Sequence, residues 1–190
     1  QPAVRDALKR IRAAVQRGSE KVRHIQRMGT RREGADEQRP LYINPVVEDV
    51  LDLTRARWRD EAESLGISYQ LEWVPGLPPP VEGSEDGLRA AMVALVFNAL
   101  EAMPGGGRIR VSTSQDRHGD CLITVRDEGE GIAPEALARL TDAFYTTRPD
   151  RQMGLGLHLV ANVLERHGGR LEVDSSLGNG STLAMILPAS

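Results

Sequence analysis

Three Gly-x-Gly pairs, Gly129–Gly131, Gly154–Gly156 and Gly178–Gly180, stand where a periodic segment stops or starts, and they constrain the fold most. Glycine lacks Cβ, so its backbone turns sharply and lets another backbone or a ligand come close. The first pair follows Cys121–Asp127, whose apolar and polar residues alternate as in a strand. The second opens a helical pattern over about 155–167, which ends at Gly168-Gly169. The third joins two strand patterns, 170–174 and 181–187.

Upstream, Asn44-Pro45 with Glu48 and Asp49 predicts a helix start, the helix running to about Leu65 before Gly66. Residues 67–73 alternate as a strand, and Pro75 to Pro80 is a rigid extended connection. A second helix is expected over about 84–103, ended by Pro104-Gly-Gly-Gly107, and another strand over 108–114. Residues 128–153 are irregular apart from a short helix opening at Pro134. Runs of helix and strand in this order predict an α+β fold, one mostly antiparallel sheet with helices on one face.

The N-terminal segment, residues 1–30, reads differently. Val4, Leu8, Ile11, Val15, Val22 and Ile25 recur at spacings of four and three, with Gly18 in one seam position. That is a coiled-coil seam, about 42 Å long at about 1.5 Å per residue, expected to pair with a second copy. Residues 31–40 are a polar linker. Gln1 to Arg39 carries 11 Lys+Arg against 5 Asp+Glu, a balance of +6, and the chain's net −3 leaves −9 for the rest. This arm has no aromatic residues and its charges flank the seam, so a solvated helix face is expected and no nucleic-acid partner. The longest apolar run, Ala90 to Phe97, falls short of the about 20 residues that span a bilayer. A chain starting at glutamine with no signal sequence reads as a piece of a longer protein. The single cysteine, Cys121, permits no intrachain disulfide and fits a cytoplasmic setting.

Four segments converge on one chemistry: Phe97-Asn98-Ala-Leu-Glu101-Ala-Met103; Asp127-Glu-Gly129-Glu-Gly131-Ile132; Phe144-Tyr-Thr146-Thr147-Arg148-Pro149 with Gly154-Leu-Gly156-Leu157; and Gly178-Asn-Gly180-Ser-Thr182. Each alone is weak. In this order they resemble the N, G1, F, G2 and G3 boxes of the GHKL ATPase superfamily, and among its members the catalytic domain of bacterial sensor histidine kinases. The match covers roughly Leu41 to Pro188, and Gln1 to Gly29 is similar to the second helix of the family's dimerisation and phosphoacceptor hairpin.

The resemblance implies a two-layer α/β sandwich of the Bergerat type over residues 41–190, a lid over about 128–153, and Mg-ATP between them. It makes Asp127 the acceptor for the adenine amino group, with Gly129, Gly131 and Ile132 shaping the loop beside it. It makes Asn98 the Mg2+ ligand, a hard neutral oxygen beside phosphate, and places Ala102 in the same pocket. Gly154, Leu155, Gly156 and Leu157 open a helix whose free amides and dipole favour phosphate. Thr146, Thr147 and Arg148 face the terminal phosphate from the lid, Phe144 anchors the lid, and Thr182 completes the nucleotide set. Asn98 and Arg148 are the implied catalytic pair, and a histidine phosphoacceptor domain, a response regulator and a second copy the implied partners.

The chain departs from the family pattern at four places. Ala94 stands where an Asn or Glu is usual, four residues before Asn98 on the same helix face. Ala143 replaces a proline, Arg148 a lysine, and Gln152 the first glycine of the G2 box. Ala94 argues against ATP hydrolysis as the main task, since hydrolases of the superfamily keep a glutamate there. The alternative is a degenerate kinase that holds nucleotide as a signalling module. His24, His118, His158 and His167 lack the acidic neighbour of a phosphoacceptor, so that histidine is expected outside this chain.

Overall fold

The computed structural model describes residues 40–147 and 154–190. The expected coiled coil of residues 1–30, the linker up to residue 39, Arg148 and the end of the expected lid lie outside the described residues. The elements are β1 (Pro40–Leu41), α1 (Ile43–Arg55) continuing through a π-helical stretch (Ala56–Glu61) into α2 (Ala62–Ser64), and β2 (Tyr69–Val74). Then come β3 (Val81–Glu82), α3 (Glu85–Ala102), β4 (Gly107–Gln115), β5 (Cys121–Asp127) and α4 (Pro134–Leu137). Last are α5 (Gly156–Arg166), β6 (Arg170–Ser175) and β7 (Ser181–Leu187). No helix among the described residues is long and apolar enough to cross a membrane.

Five strands form one sheet in the order β2-β4-β5-β7-β6. Only β2 and β4 run parallel; the other pairs are antiparallel, as the sequence pattern predicts. Side chains alternate between faces. The register therefore puts Val111, Val125 and Leu183 on one rung and Thr113, Ile123 and Met185 on the next, all buried. On the opposite face Arg108, Arg110 and Arg126 are exposed. The helices α3 and α5 pack on the apolar face, and α1 packs against α3.

The central helix α3 is buried on most sides, with Leu88, Ala91, Leu95, Val96 and Ala99 nearly inaccessible. That is the pattern of a core helix rather than an amphipathic surface one. Ser84 caps it by accepting the Gly87 amide at 3.2 Å. Glu85 and Asp86 face the positive end of its dipole. At the other end the Tyr69 hydroxyl reaches the carbonyls of Leu100 (3.2 Å) and Met103 (2.9 Å). Each of those carbonyls also accepts a main-chain amide, Leu100 from Met103 (3.1 Å) and Met103 from Gly106 (3.0 Å). His167 ties α5 to the start of α3, because its Nε2 accepts the Ser84 amide at 2.8 Å. Nδ1 therefore carries the proton, towards the Val163 carbonyl at 2.6 Å.

The α1 region differs from the sequence expectation. Asn44 lies inside the first turn, and Tyr42 precedes the helix without a side-chain cap. The Asn44 amide serves tertiary structure instead. Its Nδ2 donates to the Gly76 carbonyl (3.0 Å), its Oδ1 accepts from Thr113 Oγ1 (2.7 Å), and that oxygen accepts the Gly76 amide (3.1 Å). This closed ring of bonds pins the Pro75–Pro80 connection to α1 and β4. The π-helical widening follows a site where side-chain donors occupy main-chain acceptors. Thr54 Oγ1 reaches Val50 and Leu51, and Trp58 Nε1 reaches Leu51.

Cys121 is fully buried, and burial, aided by the charge of Asp120, pushes its thiol up to about 12. The folded chain should resist a thiol reagent at pH 8 and label fully once denatured, because the thiolate is the nucleophile. Labelling of the native chain at the denatured rate would refute this. The raised value also has a stability sign. The contribution is fully present below about pH 9 and is lost as pH rises towards about 12.

Candidate functional site

Asp127 ends β5 with its side chain 1% exposed. Its Oδ1 accepts the Gly129 amide at 2.8 Å, so the chain folds back over the carboxylate immediately after the strand. The loop then lies on the end of α3, where the Glu130 amide donates to the Ala102 carbonyl at 3.2 Å. It is fastened to the β6–β7 connection twice, by Gly178 N–H to Glu130 O (2.8 Å) and by Ile132 N–H to Ser175 Oγ (2.9 Å).

The glycines are there because these segments cross without room between them. A Cβ on Gly129 would stand 2.7 Å from both the Ala102 Cβ and Asp127 Oδ1. On Gly131, at φ +72°, it would run into the Ser176 carbonyl, and on Gly180, at φ +77°, into the Asp127 carbonyl. The first and third Gly-x-Gly pairs therefore meet at the ends of β5, β7 and α3, around one buried carboxylate. Such an oxygen pair, held by a backbone amide and away from water, is an acceptor for a donor on a flat ligand edge.

Asn98 is half-buried on α3. It lies one helical turn before Ala102 and hence on the same face. Ala94, a further turn back, is also half-buried and carries no polar group. The second Gly-x-Gly pair opens α5. Gly154 has φ +66°, Leu155 precedes the helix, and at Gly156 a Cβ would meet nothing within 4 Å. The first amides of α5 lack acceptors within the helix, which makes that end an anion site in principle. Phe144 N–H donates to the Gly154 carbonyl at 3.0 Å, drawing together the two ends of the stretch that contains Arg148. Phe144 is itself at φ 64°, the one non-glycine residue with positive φ among the described residues, and its ring is 70% exposed. The anchoring expected of Phe144 therefore comes from its main chain, not from burial of the ring. Thr146 is half-buried and Thr147 exposed. The neighbouring Tyr145 ring receives the Arg139 guanidinium at 4.3 Å from its centre, a cation–π contact.

The structure thus brings Asp127, Gly129, Gly131, Ile132 and Ala102 together, with Asn98 one turn away. Leu157 lies in the first turn of α5. Thr182 is placed elsewhere. Asp127 pairs with Ser181 across β5 and β7, whereas Thr182 pairs with Arg126 and so projects from the opposite face. The residue beside Asp127 is Ser181, which is 5% exposed and bonded to Ser175 at 2.9 Å. Sequence reasoning passed over both serines. The available signal was the strand alternation of β7, where Ser181 is in phase with the core residues Leu183, Met185 and Leu187.

The family model for histidine kinase-, DNA gyrase B- and HSP90-like ATPases matches residues 83–190. Sporulation kinase E of Bacillus subtilis (strain 168) is 31% identical over 147 residues, which are 77% of this chain and 19% of that protein. The chain therefore spans about a fifth of that relative's length. Among solved structures, the mycobacterial sensor histidine kinase MprB superposes with TM-score 0.67 at 28% identity, over 80% of this chain and 97% of that one. Full-length ShkA in complex with AMPPNP superposes with TM-score 0.67 at 26% identity, over 89% of this chain and 35% of that one. The match to the family model, over the residues that form α3, the three glycine pairs and the sheet between them, shows that the chain belongs to the histidine kinase-, DNA gyrase B- and HSP90-like ATPase family.

Proposed function

We propose that residues 41–190 form the Mg-ATP-binding catalytic domain of a sensor histidine kinase. In this reading the domain passes the γ-phosphoryl group to a histidine on a phosphoacceptor helix of the parent protein. The observation that carries the reading is the buried Asp127 carboxylate beneath a loop in which Gly129 and Gly131 admit no side chain. It suits the amino edge of adenine, and the likeness to ShkA, whose structure is a complex with AMPPNP, supports a nucleotide as the ligand.

Asp127 would orient the base. Asn98, a turn away from the base loop, would hold magnesium through its amide oxygen, and the ion would supply positive charge to offset that of the phosphates. The amides that open α5, at Gly156 and Leu157, would take the phosphate chain, with Thr146, Thr147 and Arg148 on the lid side. In the transfer, a P–N bond to the imidazole forms as the bond from the γ-phosphorus to the bridging oxygen breaks. The domain's contribution is positioning and charge stabilisation rather than covalent chemistry. Residues 1–30 would pair two copies, and the response regulator of the parent kinase would receive the group next.

A second reading, a nucleotide-holding module without transfer, draws on Ala94, which offers no base near Asn98. One experiment separates the two. The chain is incubated with γ-labelled ATP, alone and with a separately supplied phosphoacceptor domain. The kinase reading expects label only on the supplied domain, acid-labile as a phosphoimidazole is. No label on any histidine-bearing domain would favour the module, and acid-stable label on the chain itself would contradict both.

A further inference from the structure

Ser175, at the end of β6, is bonded in three directions, all at 2.9 Å: from the Ile132 amide, to the Gly180 carbonyl, and to Ser181 Oγ. A serine hydroxyl has one proton and can accept two. The Gly180 carbonyl cannot donate, so the Ser175 proton goes to it. The Ile132 amide fills one acceptor position of Ser175. The remaining contact is therefore a donation from Ser181 to Ser175. Ser181 in turn stands on the rung of Asp127, next to it and on the same face of the sheet. Cβ atoms paired in this way lie about 5 Å apart. With its proton committed away, Ser181 offers lone pairs only.

We propose that Ser175 is a positioning residue for base recognition. By drawing the proton of Ser181, it makes the Asp127–Ser181 rung an acceptor-only edge, complementary to a ligand group with two donor hydrogens such as the 6-amino group of a purine. This rests on the adenine-binding reading above and adds what that reading lacks, a reason why the second group on the rung cannot adapt to a keto oxygen. A free hydroxyl would rotate and donate to it. One tied to Ser175 cannot, so a 6-keto purine meets acceptors alone.

The test is titration calorimetry of ATP and GTP with the full chain and its Ser175→Ala, Ser175→Thr and Ser181→Ala variants, with thermal unfolding as the control. Ser175→Ala should lower the ATP-to-GTP affinity ratio about tenfold, because Ser181 regains a proton to offer. Ser175→Thr, which keeps the hydroxyl, should restore the ratio. A folded Ser175→Ala chain whose two affinities fall equally, leaving the ratio unchanged, would overturn the proposal, because a purely structural serine behaves so. If Ser175→Ala does not fold, Ser181→Ala carries the test. Losing one acceptor should weaken ATP about tenfold while GTP, relieved of one facing acceptor, binds no more weakly, and a native ratio there would overturn the proposal. Equal affinity of the unmutated chain for ATP and GTP would instead overturn the adenine reading beneath it.

Discussion

Asp127→Asn is expected to weaken ATP binding and to blunt the preference for ATP over GTP that the proposed function requires. In the proposed function the carboxylate would accept from the adenine amino group, whereas guanine would bring a carbonyl oxygen to the same place. Two acceptors would then face each other at a carboxylate that is only 1% exposed, and the buried charge would lose its ligand partner. Leaving such a group unsatisfied costs on the order of 1–3 kcal/mol, roughly ten- to hundredfold in affinity. An asparagine amide can turn its NH2 towards the guanine carbonyl, so the penalty for GTP should shrink while ATP loses its charge-assisted bond. Asn98→Ala should behave otherwise. It should weaken nucleotide binding in the presence of magnesium and leave metal-free adenine binding nearly intact. Calorimetric titration with ATP, ADP and GTP, with and without magnesium, separates the two patterns. Equal native affinities for ATP and GTP would remove Asp127 from the base site.

Gly131→Ala and Gly156→Ala should have opposite effects on stability, although both glycines close a Gly-x-Gly pair. Gly131 has φ +72°, and its added Cβ would meet main-chain atoms of Ser176 and Leu177, which cannot rotate aside. The left-handed backbone alone costs a non-glycine residue about 1–2 kcal/mol. The clash adds displacement of the loop over Asp127, so the melting temperature should fall and nucleotide affinity should drop at least about tenfold. Gly156 opens α5 with open space where a Cβ would go. Alanine there should raise stability by about 0.5–1 kcal/mol through helix propensity. Its effect on nucleotide would then report only how close the phosphates come to that backbone. A Gly131→Ala chain with native melting and native affinity would refute the account of the crossing loops.

Much of the fold was legible because local patterns and global packing agree. The alternation in Cys121–Asp127 and Ser181–Leu187 matches the strands residue for residue, since one face of each is buried under helices. The Ser84 cap and the glycines after α3 mark its ends for the same reason. The motif order located the loops that meet around Asp127, because their crossing tolerates only glycine at Gly129 and Gly131.

What the sequence alone determined, then, is the five strands of the main sheet and the helices packed on it, the family resemblance, and the residue types that meet around Asp127. The tertiary structure decided which side chains meet. The Gly-x-Gly before β7 does not say whether Ser181 or Thr182 faces Asp127, because that depends on the register of β5 against β7. A shift of one residue exchanges the faces. Asn44-Pro45 reads locally as a helix start, yet Asn44 bonds Gly76 and Thr113, partners 32 and 69 residues away, which no local pattern encodes. The parallel pairing of β2 with β4 follows from α3 crossing between them, and the proton order through Ser175 from three chain segments meeting. Periodicity along a chain reports which residues leave water; only packing of distant segments sets which of them touch.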